Sequence, residues 1–151
     1  MHTIELISPV AESWSLPQTS FSVVPATQAG TLDDVDLNRR TQEAHRHLMR
    51  SRAYRGKTVI VCWEHEHIAD AKLEAEYPGE RVTWRQLLEL DRLPDGMGEL
   101  VPTTWPDDNY DYFWIVTFDA KGRPKTFESK LQAFTAPWND VPQNPWGEPE
   151  Q

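Results

Sequence analysis

The sequence predicts an α/β fold: a mostly parallel sheet flanked by helices and finished by a C-terminal β-hairpin. Three observations predict it. Thr58 to Cys62 is an unbroken apolar, largely β-branched run of strand length. An amphipathic helical pattern precedes it and a helix-like stretch follows, and that alternation belongs to a parallel layer. Tyr110 to Phe118 is a second, aromatic-rich strand, followed by a Gly-containing turn and a returning segment.

In chain order, Ile4 to Ile7 suits a short strand stopped by Ser8-Pro9. Val10 to Gln28 is rich in Ser, Thr and Pro; Ser22 to Ala29 has no clean period and is expected as an irregular segment or a short helix before Gly30. Asp36 has the character of an N-cap, and Leu37, Thr41, Ala44 and Leu48 share one helical face. Arg39, Arg40, Glu43, Arg46 and Arg50 occupy the other, so the helix is amphipathic. Tyr54-Arg55-Gly56 ends it and feeds the Thr58 to Cys62 strand. Ile68 to Glu76 is expected to be helical up to Pro78-Gly79, and Thr83 to cap a short helix from Trp84 to Leu90. Asp91 to Asp108, with its Pro and Gly residues, is a long loop of the kind used as lids and binding edges. Asp119-Ala120-Lys121-Gly122 turns the chain, and Pro124 to Phe134 returns antiparallel, at a sheet edge because Pro124 has no amide to donate. Residues 1–136 thus make one domain, and 137–151 a Pro-rich tail expected to be extended or disordered.

Bulk composition narrows the function classes. At 151 residues the chain holds one domain with a real core. A formal net charge of -9 argues against nucleic acid or an anionic membrane as partner. No stretch has the roughly 18 apolar residues of a membrane span, and the first residues lack a signal-peptide pattern. The single cysteine, Cys62, excludes an intrachain disulfide and fits a reducing compartment, so a cytoplasmic protein is expected.

Candidate chemistry gathers where the first strong strand ends, at Glu64-His65-Glu66-His67. Open α/β sheets place their sites at such carboxyl ends. His65 is the candidate catalytic residue, as acid, base or nucleophile, with Glu64 to orient its ring or relay its proton. A solvated loop histidine is the plainer alternative. His67 and Trp105 are the candidate substrate contacts. His65-x-His67 also has a spacing used by metal sites, which makes a metal site at His65 and His67 a third reading. The other pair, His45 and His47, is i, i+2 on a helix, so no ligand set is completed and no cofactor is assigned. Of the seven tryptophans, Trp63 and Trp114 suit core packing, whereas Trp105, Trp138 and Trp146 beside prolines suit a stacking platform or, more plainly, a cap on the core. Cys62 has the setting of a small buried hydrophobe. There is no Gly-rich phosphate loop, serine nucleophile elbow or CxxC.

GKTVIVCWEHEHI, the Trp105-Pro106 loop and NYDYFWIVTFDAKGRP together resemble the C-terminal half of the histidine phosphatase (phosphoglycerate mutase-like) superfamily. Its members carry a GKTVLVCWEH..I strand, a later Trp-Pro and an aromatic Tyr-Asp-rich strand. Val24-Pro25-Ala26-Thr27 is similar to the stretch leading into the family's preceding helix, and the likeness extends from Ile4 to Phe134. It implies phosphomonoester hydrolase chemistry on a phosphorylated small molecule. His65 stands where the family's second pocket histidine stands, which implies a hydrogen bond to the transferring phosphoryl group. The Arg-His-Gly motif that supplies the family's nucleophile and first arginine does not occur, nor does an arginine between Ser13 and Pro25. The resemblance therefore implies a truncated phosphoglycerate mutase-like domain, weakly active or a pseudoenzyme. The alternative is a non-catalytic interaction module. Such a module would form a homo-oligomer through the sheet edge left exposed by a missing N-terminal strand.

Overall fold

The computed structural model describes residues 3–21, 34–137, 139–140 and 146. Four α-helices lie along them: α1 (Thr3–Ser13), α2 (Asp34–Arg50), α3 (Ala71–Glu76) and α4 (Trp84–Leu87). Tight 3-10 turns occupy Arg52–Tyr54, Leu90–Arg92 and Pro94–Leu100, and two strands close the order, β1 (Tyr112–Phe118) and β2 (Pro124–Leu131).

The expected parallel α/β layer does not form. The sheet among the described residues has two strands, paired antiparallel. The segment that was to head the parallel sheet, residues 58–62, is not a strand, and Val59, Ile60 and Val61 are 39%, 47% and 44% exposed. No backbone hydrogen bond ties residues 58–63 to another described segment. β-branched composition favours extended chain, but a strand exists only where a neighbour completes its ladder. Ile4 to Ile7 is also corrected: it lies inside α1, which continues through Pro9 to Ser13, with the left-handed Ser15 (φ 51°) just beyond its end. Four residues, three of them apolar, cannot distinguish the two periodicities.

The C-terminal hairpin forms as expected. Tyr112 pairs with Leu131, Val116 with Phe127, and a register shift at Thr117/Phe118 sets Pro124 opposite Phe118. Proline is tolerated there because it is the first residue of β2. The Asp119 carboxylate accepts from the amides of Lys121 (2.8 Å) and Arg123 (3.0 Å), while Gly122 supplies the positive φ of 79° that the turn needs.

The core is small and two-sided. Leu90, Leu93 and Val101 are buried from the 3-10 turns, and Trp114, Val116 and Phe127 of the hairpin pack on them with Leu88 and Met97. Thus the first half of the loop expected from Asp91 to Asp108, up to Leu100, is wound into 3-10 turns, kinked at Asp95 and Gly96, that supply this core. Gly98 permits the winding, because a Cβ there would fall on the Asp91 carbonyl. On the other side, Asn38, Thr41 and Ala44 of α2 are buried, and the Trp63 indole donates to Thr41 Oγ1 at 2.9 Å. Trp63 stacks edge-on against Trp84, 5.6 Å away. Thr83 caps α4, as its position suggested, accepting from the Gln86 amide. α3 is shorter than expected: it starts at Ala71 because Asp70 caps it through the Leu73 amide. The helix from Trp84 likewise ends at Leu87, and Glu89 takes a left-handed φ of 53°. The segment from Ser22 to Ala29 and most of the Pro-rich tail lie outside the described residues.

Candidate functional site

His65 sits in a turn over residues 65–68. The Ile68 amide donates to the His65 carbonyl at 2.9 Å, and that of Ala69 to the same carbonyl at 3.2 Å. Two segments buttress the turn. The Trp84 amide donates to the His67 carbonyl (2.8 Å) and the Arg85 amide to that of Ile68 (3.0 Å). On the other side, the Trp105 amide donates to the Ala69 carbonyl (2.8 Å), and Thr104 Oγ1 accepts from the Ala71 amide (3.1 Å). Glu74 pairs with Arg85 in a mostly buried ion pair and accepts from Thr83 Oγ1 at 2.6 Å, which pins α3 to α4.

Glu64 is the hub. Its Oε1 lies 2.9 Å from His65 Nδ1 and accepts from the Glu66 amide at 3.1 Å. Its Oε2 accepts from the His67 amide at 3.1 Å and lies 2.9 Å from His67 Nδ1. Burial pushes the Glu64 carboxyl up, but the His67 ring, the Glu66 amide, the His65 charge and the His67 amide outweigh it. The carboxyl is held below the usual range.

The two candidate histidines have different surroundings. His67 is fully buried, with Nε2 2.9 Å from Asn38 Oδ1 and Nδ1 on Glu64, so both ring nitrogens are engaged inside the fold. His65 keeps 30% of its side chain exposed, and its Nε2 lies 3.3 Å from Asp107 Oδ1. Trp105 is 6% exposed, its indole donates to the Asn109 carbonyl at 2.7 Å, and it stacks on Trp114 and Trp146. The Trp105 side chain therefore packs in an aromatic cluster with Tyr112, while its loop carries Asp107 to His65.

Two participants carried no motif. Asn38 is polar on the buried stripe of α2, three residues before Thr41, and two polar residues on an inward face are a signal of a buried partner. Asp107 follows Trp105-Pro106 with nothing in its spacing to mark it. Elsewhere, His45 packs on Trp84 and His47 on Tyr54, so the two rings of that pair have separate neighbours. Cys62 is half-buried, and burial pushes its thiol up. Among the described residues no group of three or more His, Cys, Asp or Glu is placed to hold a metal ion, and no helix is long and apolar enough to cross a membrane.

The arrangement can hold an imidazole in one orientation and present part of it to solvent beside the exposed carboxylate of Asp107. The ionic neighbours of His65 among the described residues are both carboxylates, so the site lacks the guanidinium fork that grips a phosphoryl group. No family model, curated protein or solved structure matches this chain.

Proposed function

We propose that this chain is a histidine-phosphatase-related domain with weak phosphomonoester turnover that depends on His65. One observation carries the reading: the Glu64 carboxylate holds His65 Nδ1 at 2.9 Å and leaves the ring partly open to solvent. An imidazole so oriented can donate to a phosphoryl oxygen or move a proton, and Glu64 is the residue that positions it. The acidic surroundings set the rate low, because a phosphate dianion approaches Glu64, Glu66 and Asp107 against their charge. The lone cysteine suits a cytoplasmic setting.

The test is hydrolysis of an aryl phosphate by the purified chain beside His65→Ala. Turnover present in the first and lost in the second supports the reading. Equal turnover in both, or none in either, overturns it.

A second reading, a non-catalytic interaction module, is favoured by a different observation. Val59, Ile60 and Val61 are consecutive, apolar and each more than a third exposed, with no ladder partner among the described residues. Exposed apolar runs of this kind mark association surfaces.

A further inference from the structure

We propose that the cleft between α2 and α4 is a binding site for a small organic anion, its carboxylate or phosphate head held by Arg46 and Arg81 and its apolar body laid against Leu87. This site is separate from the His65 turn and does not rest on the phosphatase reading.

The cleft has a volume of about 290 Å³ and is lined by Gln42, His45, Arg46, Arg81 and Leu87. That is close to the lower bound of ordinary small-molecule sites, so it suits a compact occupant. Its sides are fixed by contacts within the fold. The Gln42 side-chain amide donates to the Arg81 carbonyl at 3.1 Å, which ties residue 81 to α2. Glu89 lies 2.7 Å from Arg81 Nη2 and orients that guanidinium. Arg46 Nε donates to the Gln42 carbonyl, one turn back along α2, at 3.3 Å. The His45 ring meets the buried Trp84 indole edge-on, with ring centres 6.0 Å apart.

Charge identifies the occupant. The chain has a formal net charge of -9, yet positive groups collect at this cleft. Glu89 is shared by Arg81 and Arg92, so that trio keeps one surplus positive charge. Arg46 pairs with no carboxylate among the described residues. Glu43 on its own helix is taken by Arg40, and Arg85 of α4 is taken by Glu74. Two guanidinium groups in surplus therefore flank a half-buried imidazole. Burial, and then the Arg81 charge, hold the His45 imidazole below its ordinary value. An anion between the arginines offsets the second effect, so its binding and the protonation of His45 reinforce each other. Guanidinium groups grip carboxylate or phosphate oxygens through paired N–H donors. Leu87 offers no polar group, which favours an anion with an apolar body over a bare ion.

The test is NMR titration of the purified 151-residue chain with benzoate and with phenyl phosphate at fixed ionic strength. Saturable shifts are expected at residues 42–46, 81 and 87 with either probe, the tighter one naming the head. Acetate should bind about tenfold more weakly than benzoate, because it lacks the body that covers Leu87. Arg46→Gln and Arg81→Gln should each weaken benzoate about tenfold. Arg46 is exposed, so its variant keeps the parent's circular dichroism. Benzoate stays ionised between about pH 7.5 and 5.5, and its affinity should rise as the pH falls through that window. His45→Gln should remove the rise. His65→Ala should leave benzoate affinity unchanged, which separates this site from the His65 turn. Shifts that never saturate with either probe, binding indifferent to both arginine variants, or binding lost in His65→Ala would overturn the inference.

Discussion

Glu64→Gln tests the hub of the site. The carboxylate takes two contacts on each oxygen: His65 Nδ1 and the Glu66 amide on Oε1, His67 Nδ1 and the His67 amide on Oε2. A glutamine keeps one oxygen, and its amide then faces two donors, so either choice of rotamer strips one pair. Hydrogen bonds to a charged acceptor contribute about 1.5–3 kcal/mol each. The Glu64 side chain is 34% exposed, so water takes over part of what is lost and screening lowers the remainder. A net loss of roughly 2 kcal/mol follows, which in a domain of this size is a fall in Tm of about 4–8 °C. Urea and thermal unfolding followed by circular dichroism measure it. Glu66→Gln is the control, since Glu66 is exposed and crowded by like charge, and it is expected to change stability little. A Glu64→Gln variant within about 0.5 kcal/mol of the parent would show that the four contacts are not a linked unit.

Three further outcomes follow from the packing and the charges. Trp105→Ala removes a buried indole from the stack with Trp114 and Trp146 and should cost about 3–5 kcal/mol, read by the urea midpoint. Gly98→Ala places a methyl on the Asp91 carbonyl and should cost about 1–3 kcal/mol, whereas alanine at a site that merely needs space would be neutral. Stability should fall in acid. Glu64 is held below the ordinary carboxylate value, so its contribution is full above about pH 4.3 and is lost as the pH falls through its lowered folded value. His45 is lowered by burial and by Arg81, so the unfolded chain binds its proton first and stability already declines below about pH 6.5. A pH titration of the unfolding midpoint that is flat from 7 to 3 would contradict both.

The local rules were legible in the sequence and the global one was not. Thr83 caps its helix through its side-chain oxygen, as its position suggested, and α2 buries Thr41 and Ala44 on the face their spacing gives. Asp36, expected to cap α2, lies in its first turn instead, and Asp70, expected within a helix, caps α3. The hairpin was visible because a nearly continuous aromatic and β-branched run, a Gly-containing turn and the position of Pro124 agree. Residues 58–62 misled because composition reports the preference of a segment, whereas a strand is a property of two segments. The same distinction governs the site. Glu64, His65 and His67 are neighbours along the chain, so their contacts follow from one turn. Asn38 and Asp107 reach them from 29 and 42 residues away, and no spacing rule covers such distances.

Among the described residues, five tryptophans fall into two separate ring clusters. Trp105, Trp114 and Trp146 have ring centres 5.0–6.0 Å apart, close enough for excitation to pass among them and for their emission to behave as that of one chromophore on the hairpin. Trp63 and Trp84 form a separate, nearly perpendicular pair (88°) beside α2. Trp14, 65% exposed, emits from water. With Trp14 and Trp138 replaced by phenylalanine, replacing either group as well leaves the other as reporter, so the melting of the hairpin and the loosening of the Glu64 turn can be followed in separate fluorescence traces without an added dye.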